Sequence, residues 1–193
     1  MKGIVLLGGK SSRMGTDKGF LISKNETFFY DFAAKKLATF CDEVYLSING
    51  LQNQNNTFEY PVIVDKEVSV GPIGGIITSY EKLHDNLLVL ACDMPLVSIE
   101  DIQFLMSKYL KQQQSCFYFD YKMKHFEPLV SIWTTPLLAK LKMYYEVEGR
   151  SLNAFLKNND VAKIEISDST KFSNINTTHD WEMYQKYITD QLS

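Results

Sequence analysis

The chain opens with an apolar run that passes directly into a glycine-rich loop, GIVLLGGKSSRMGTDK at residues 3–18. The continuous apolar stretch at 3–7 is typical of a strand buried on both faces of a sheet. The loop that follows brings together the cations Lys10, Arg13 and Lys18. Adjacent glycines free backbone N–H groups, and such groups together with cations hold polyphosphates in proteins. The segment therefore predicts a strand followed by a phosphate-binding loop.

Short apolar runs alternate with amphipathic segments along the rest of the chain. Strands are predicted at 44–48, 62–64, 87–91, 115–119, 129–133 and 161–166. Helices are predicted at 27–40, 71–83, 136–145, 151–156 and 178–188, with a further helix beginning at Ser98 and a surface loop at 51–59. Such alternation implies right-handed crossovers. We expect an α/β fold in one domain, residues 1–193, with a Rossmann-like, doubly wound, mostly parallel sheet covered by helices on both faces.

Composition limits the classes of partner. Hydrophobic residues make up 45% of the 193 residues, charged residues 22%, and the formal net charge is −3. A broad nucleic-acid-binding surface usually comes with a basic balance, so it is not expected here. No apolar run reaches the length needed to cross a bilayer. The three cysteines fit neither a disulfide framework nor a metal motif. We expect a cytoplasmic protein that binds a phosphorylated small molecule and neither nucleic acid nor membrane.

A glycine or a polar residue follows each of four predicted strands. These residues are Gly8, Asn49, Asp65 and Asp93. In open α/β sheets, ligands bind beyond the carboxyl ends of the strands. Asp93 lies beside the expected phosphate loop, and Mg²⁺ prefers carboxylate oxygens. Gly71 precedes a helix whose N-terminal N–H groups favour anions. A turn or capping role is the alternative for each of these side chains.

Two common nucleotide-binding motifs do not fit the loop. A Walker A motif needs a glycine where Ile4 stands, and the spacing of the glycines differs from G-x-G-x-x-G. Read as a whole, residues 6–18 instead resemble the signature of the molybdenum cofactor guanylyltransferase family, L-A-G-G-x-S-x-R-M-G-x-D-K. Further blocks match that family in order, GPIGGI at 71–76, ACDMPL at 91–96 and FSNINT at 172–177. The chain departs from the pattern at Leu7 and Gly74, where the family has alanine.

The resemblance implies a nucleotide-diphospho-sugar transferase-like fold and transfer of GMP from GTP to molybdopterin, with release of pyrophosphate. It implies catalytic roles for Lys18, Arg13 and Asp93, and Mg²⁺ held by Asp93 with Asn176 as a second ligand. The nucleotide-binding residues that it implies are Leu6, Leu7, Gly8, Gly9, Gly15, Lys18, Asn49, Asp65, Gly71 and Asp93. The protein partners that it implies are molybdoenzymes or cofactor-insertion proteins.

Two alternatives stay open at this point. One is another nucleotidyltransferase of the same fold, using CTP or acting on a sugar or alcohol phosphate. Gly8 and Gly9, with Arg13-Met14-Gly15, resemble the GTP-using branch more than the cytidylyl branch, which tends to have a second alanine in this segment. The other alternative is a nucleotide-binding protein without turnover, against which the intact set Lys18, Asp65 and Asp93 argues.

Overall fold

The computed structural model describes residues 1–7, 18–22, 27–66 and 70–192. The strands of these residues are β1 (Lys2–Leu6), β2 (Val44–Ile48), β3 (Val62–Val64), β4 (Leu87–Ala91), β5 (Cys116–Asp120), β6 (His125–Trp133) and β7 (Ala162–Glu165). The helices are α1 (Phe29–Ala38), α2 (Gly50–Asn55), α3 (Pro72–Leu83), α4 (Ile99–Gln112), α5 (Thr135–Glu146), α6 (Leu152–Lys157) and α7 (Thr178–Leu192). Short 3-10 turns occupy Lys18–Phe20 and Ser169–Phe172.

The strands form one sheet with the order β3-β2-β1-β4-β6-β5-β7. Strand β6 runs antiparallel to β4 and β5, and the other neighbouring pairs are parallel. The mostly parallel α/β fold expected from the sequence is confirmed. The chain winds from β1 towards β3 and then returns to β4 on the other side of β1. This reversal puts a topological switch point between the carboxyl ends of β1 and β4, which is where such sheets bind ligands.

Different helices cover the two faces of the sheet, and alternate strand residues point to opposite faces. Val5 of β1 packs in the core formed with α1, α4 and α7, whereas Ile4 and Leu6 pack in the core formed with α3, α5 and α6. Both faces of β1 and β4 are therefore buried. This explains why these strands read as continuous apolar runs rather than as alternating ones.

The expectation of a surface loop at 51–59 is wrong, because Gly50–Asn55 forms helix α2. Asn49 caps this helix: its side-chain oxygen accepts from the Gln52 N–H at 3.0 Å, and its own N–H donates to Gln52 Oε1 at 2.9 Å. This is a capping box. Gln52 is only 5% exposed, and its Nε2 donates to the Leu7 carbonyl at 3.3 Å. The helix is anchored by a buried amide, so it lacks the apolar periodicity that reveals most helices.

No helix in the described part of the chain is both long enough and apolar enough to cross a membrane.

Candidate functional site

Backbone hydrogen bonds extend the sheet one residue beyond the strand ends at the switch point. The Cys92 N–H donates to the Leu6 carbonyl at 3.1 Å, and the Leu7 N–H donates to the Ser47 carbonyl at 3.0 Å. The Asp65 N–H continues the β2–β3 pairing by donating to the carbonyl of residue 48 at 2.8 Å. The residues that follow β1, β3 and β4, namely Leu7, Asp65 and Cys92, are thus fixed along one edge of the sheet.

Asp65, which is partly buried, and Ser47, which is buried, form a polar pair at this edge. The Ser47 hydroxyl donates to Asp65 Oδ1 at 2.8 Å, and Ser47 is 1% exposed. Helix α3 passes closely over the pair at Gly75, where an added Cβ would lie 2.4 Å from Ser47 Oγ and 3.4 Å from Asp65 Oδ1. The same Cβ would lie 3.2 Å from Leu6 Cδ2. Only glycine allows this approach, so Gly75, Leu6, Ser47 and Asp65 form one tightly packed group.

The environment of Asp65 makes its carboxyl group a ready hydrogen-bonding group for a ligand. Burial raises the pKa of Asp65 from 3.8 to about 6, and the hydrogen bond from Ser47 acts in the opposite direction. A partly desolvated carboxylate of this kind is stabilised by N–H or O–H donors that a ligand brings. A guanine edge and a ribose both offer such donors.

Gly71 is the N-cap residue of helix α3, and its backbone conformation favours glycine. Its φ is 77° and its ψ −167°, and it is exposed, with no atom of the described residues within 4 Å of the position of a Cβ. Side chains rarely adopt this φ, so the residue type is set by the backbone. None of the described residues blocks the start of α3, whose N–H groups favour an anion.

Asp93 and Asn176 are brought together from distant parts of the sequence. The N–H of Ile175 donates to the Asp93 carbonyl at 2.9 Å, which places the residue before Asn176 directly against the end of β4. Asp93 is partly buried and Asn176 is exposed. The Asn176 N–H in turn donates to Asp180 Oδ2 at 2.9 Å, in the first turn of α7. The hydrogen bond brings the two backbone segments together, and the pairing of the Asp93 and Asn176 side chains on a metal stays a prediction.

This pair suits Mg²⁺ better than it suits a softer metal. Among the described residues, no three His, Cys, Asp or Glu side chains cluster as a metal site. Mg²⁺ needs no such cluster, because it keeps several waters and is commonly held by one or two carboxylates plus the phosphates of a substrate. One carboxylate and one amide oxygen fit that pattern.

Asn49 has a structural role in addition to the predicted nucleotide contact. Its side-chain oxygen caps α2, as described above. The predicted residues Gly8, Gly9, Arg13 and Gly15, and the side chain of Lys18, lie outside the described residues.

A groove of about 410 Å³ lies at the same edge of the sheet, beyond the start of α3. Its walls include Pro72, Glu127 of β6, Asn153 of α6 and Asn174. Burial raises the pKa of Glu127 from 4.5 to about 7, and Asp120 acts in the same direction. The side chain of Glu127 is 22% exposed, and its Oε1 lies 3.5 Å from Nε2 of His125. The groove therefore offers a carboxyl group that changes charge near neutral pH.

Sequence reasoning did not single out Ser47, Gly75 or Glu127 as site residues. Ser47 is a polar residue in an otherwise apolar strand, a signal that could have identified it. Gly75 is one of two adjacent glycines, Gly74 and Gly75. Only the structure shows that Gly75 is the one in close contact with its neighbours. Glu127 lies on a part of β6 that extends before the predicted strand at 129–133.

Comparisons with known proteins identify the family of the chain. The family model described as MobA-like NTP transferase domain matches residues 3–163. A probable molybdenum cofactor guanylyltransferase of Flavobacterium johnsoniae is 28% identical over 177 residues, covering 90% of this chain and 90% of that protein. A molybdenum cofactor biosynthesis bifunctional protein of Synechocystis is 35% identical over 111 residues, or 55% of this chain, and the chain spans only 31% of that protein.

The fold has a counterpart among solved structures. Molybdopterin-guanine dinucleotide biosynthesis protein A from Archaeoglobus fulgidus matches with a TM-score of 0.76 and 22% identity. The match covers 98% of this chain and 100% of that one. At this level of identity the likeness supports the fold.

Proposed function

Because the chain belongs to the MobA-like NTP transferase family, we propose that it transfers GMP from GTP to molybdopterin and releases pyrophosphate. The observation that carries the proposal is the placement of Asp65 and Asp93 after strands on either side of β1, both at the carboxyl ends of the parallel strands. The family relationship and the named relatives support the choice of GTP and molybdopterin.

The nucleotide binds along this edge in the proposal. Asp65, held by Ser47, accepts hydrogen bonds from the guanine edge or the ribose. Gly71 leaves room for the nucleotide at the start of α3. Arg13 and Lys18 bind the triphosphate and stabilise the negative charge that grows on the leaving pyrophosphate. Such positioning and charge stabilisation are the main needs of phosphoryl chemistry.

Asp93 and Asn176 hold Mg²⁺ in the proposal. When bound, Mg²⁺ neutralises charge on the reacting phosphates. The reaction then forms a bond between a phosphate oxygen of molybdopterin and the α-phosphorus of GTP. The bond from the α-phosphorus to the oxygen bridging towards the β-phosphorus breaks, and its electron pair leaves with pyrophosphate.

The groove beside Glu127 is the acceptor side of the site in the proposal. It lies at the same edge and shares the beginning of α3 with the nucleotide side through Pro72. With its pKa near 7, the Glu127 carboxyl group can donate a hydrogen bond to a pterin when protonated. When ionised, it repels the acceptor phosphate. Helix α6 forms the other wall of the groove. The side chain of Asn153 on this helix accepts from the Phe126 N–H and donates to the Phe126 carbonyl, which fixes α6 beside β6.

We further propose that residues 1–193 act as one nucleotidyltransferase domain in the cytoplasm. The three cysteines are free and buried in the structure, which fits a reducing compartment. The product passes to molybdoenzymes or to cofactor-insertion proteins in this proposal.

The experiment that tests the proposal compares the four nucleoside triphosphates with Mg²⁺ and molybdopterin. GTP should raise the melting temperature more than ATP, CTP or UTP, since a ligand that binds only the native state stabilises it. Pyrophosphate release should require both GTP and molybdopterin. A larger thermal shift and faster release with CTP would instead assign the chain to a cytidylyltransferase activity. Binding of GTP without release under any condition would indicate a non-catalytic protein.

A further inference from the structure

A buried lysine supports the segment that follows Asp93. Lys36 lies on α1 and is 6% exposed. Its Nζ donates to the carbonyl of Pro95 at 2.9 Å and to the carbonyl of Val97 at 2.5 Å. The same Nζ lies 4.0 Å from the centroid of the Phe32 ring. One cation thus fixes two carbonyls in the short segment 94–97, which connects Asp93 to the beginning of α4.

Other contacts hold the two ends of this segment. At its start, the Ile175 N–H binds the Asp93 carbonyl at 2.9 Å. At its end, Ser98 caps α4 in a capping box with Asp101. Lys36 holds the residues between these two points. Its contacts therefore bear on the direction in which the backbone leaves Asp93.

We propose that Lys36 is a positioning residue for the Mg²⁺ bound at Asp93, an inference that rests on the proposed function. Lys36 acts through the backbone of 95–97 and touches neither metal nor substrate. Contacts that orient a metal-ligating carboxylate strongly affect metal affinity. Ligands must also be held within about 0.5 Å of a productive arrangement.

Stability alone does not account for a lysine at this position. Burying an ammonium group carries a desolvation cost, and well-packed apolar residues often stabilise a protein at least as well as buried charges do. A methionine would fill much of the same volume without that cost. It would, however, leave the segment 95–97 without its two hydrogen bonds from α1.

The test measures metal affinity directly in the full chain. Mn²⁺ replaces Mg²⁺, and its free concentration is followed by electron paramagnetic resonance in the presence of a non-hydrolysable GTP analogue. Lys36→Met and Lys36→Gln should each raise the Kd for Mn²⁺ by about 10–100-fold. Lys36→Arg keeps the cation and its donors, and should recover most of the affinity. The matched control is Lys35→Met, because Lys35 is the neighbouring lysine on α1, is exposed, and pairs with Asp31 at 2.8 Å.

A double-mutant cycle with Asp93→Asn separates positioning from general destabilisation. If Lys36 acts through Asp93, then Lys36→Met in the Asp93→Asn background should weaken Mn²⁺ binding little further. Additive losses would overturn the proposal. So would a lowered melting temperature with an unchanged Kd for Mn²⁺ in either Lys36 variant that folds. The readout needs no molybdopterin, so a failure of GMP transfer, which would refute the proposed function, is distinguishable from an unchanged Kd for Mn²⁺, which would refute this inference alone.

Discussion

Replacing Gly75 with alanine tests the packing of α3 over the Asp65–Ser47 pair. The new Cβ would lie 2.4 Å from Ser47 Oγ, so either Ser47 rotates or the helix moves. Rotation breaks the 2.8 Å hydrogen bond to Asp65, and movement of the helix disturbs the contact with Leu6. Both routes alter the surroundings of the carboxyl group that we place on the nucleotide.

The expected magnitude follows from three contributions to the free energy of unfolding. Overpacking costs about 1–3 kcal/mol, and loss of the Ser47–Asp65 hydrogen bond about 1 kcal/mol. The higher helix propensity of alanine relative to glycine offsets these losses by about 1 kcal/mol. Gly75→Ala should therefore destabilise the protein by about 1–3 kcal/mol, which corresponds to a fall of roughly 2–12 °C in melting temperature.

The matched control is the neighbouring residue of the same helix. Among the described residues, a Cβ at Gly74 would meet only Val70 Cβ, at an ordinary 3.5 Å. Gly74→Ala should therefore stabilise the protein by up to about 1 kcal/mol through helix propensity. Thermal unfolding and GTP titration of both variants provide the assay, with weakened GTP binding expected for Gly75→Ala alone. Equal stabilisation by both substitutions, with unchanged GTP affinity, would refute the reasoning.

Three further substitutions test the carboxyl groups of the site. The pKa of Asp65 is raised to about 6 in the folded state. Between about pH 4 and 6 the folded protein therefore binds more protons than the unfolded chain. The contribution of Asp65 to the free energy of unfolding thus falls as pH rises through that window. Asp65→Asn should remove this loss, which is about 1.4 kcal/mol between pH 5 and 7, as measured by urea unfolding of both proteins at the two pH values; an unchanged difference in stability between pH 5 and 7 would contradict it. In wild type, the KM for molybdopterin should rise from pH 6 to 8 as Glu127 ionises. Glu127→Gln should abolish this rise while leaving GTP affinity unchanged, and a persisting rise would point to another group. Asp93→Asn should fold normally yet need far more Mg²⁺ for activity, whereas a lowered melting temperature with unchanged Mg²⁺ dependence would make Asp93 structural.

The main features of the fold followed from patterns that the core itself produces. Strands β1 and β4 are buried on both faces, so their sequences had to be continuously apolar and were easily identified. Asp65 and Asp93 were singled out as candidates because a carboxylate close behind a strand interrupts an apolar pattern, and their roles stay predictions. Helix α2 was missed because its anchor, Gln52, is polar and buried, which reverses the usual relation between hydrophobicity and burial.

Contacts between distant segments could not be predicted from local pattern. Nothing in the sequence around Lys36 indicates that its Nζ reaches carbonyls about 60 residues later in the chain. The pairing of Ser47 with Asp65 likewise depends on the register of β2 against β3. The role of Gly75 depends on how closely α3 approaches both strands. Such details require the packed sheet, because sequence spacing alone does not define them.

Phosphate labelling tests most directly whether the site at this edge of the sheet transfers a guanylyl group. The protein is incubated with Mg²⁺, molybdopterin and GTP carrying the label on either the α- or the γ-phosphate. We expect the α-label to appear in the molybdopterin product and the γ-label to leave as pyrophosphate, with transfer strongly slowed by Asp93→Asn. Transfer of the γ-label, or labelled product from CTP in place of GTP, would contradict the account.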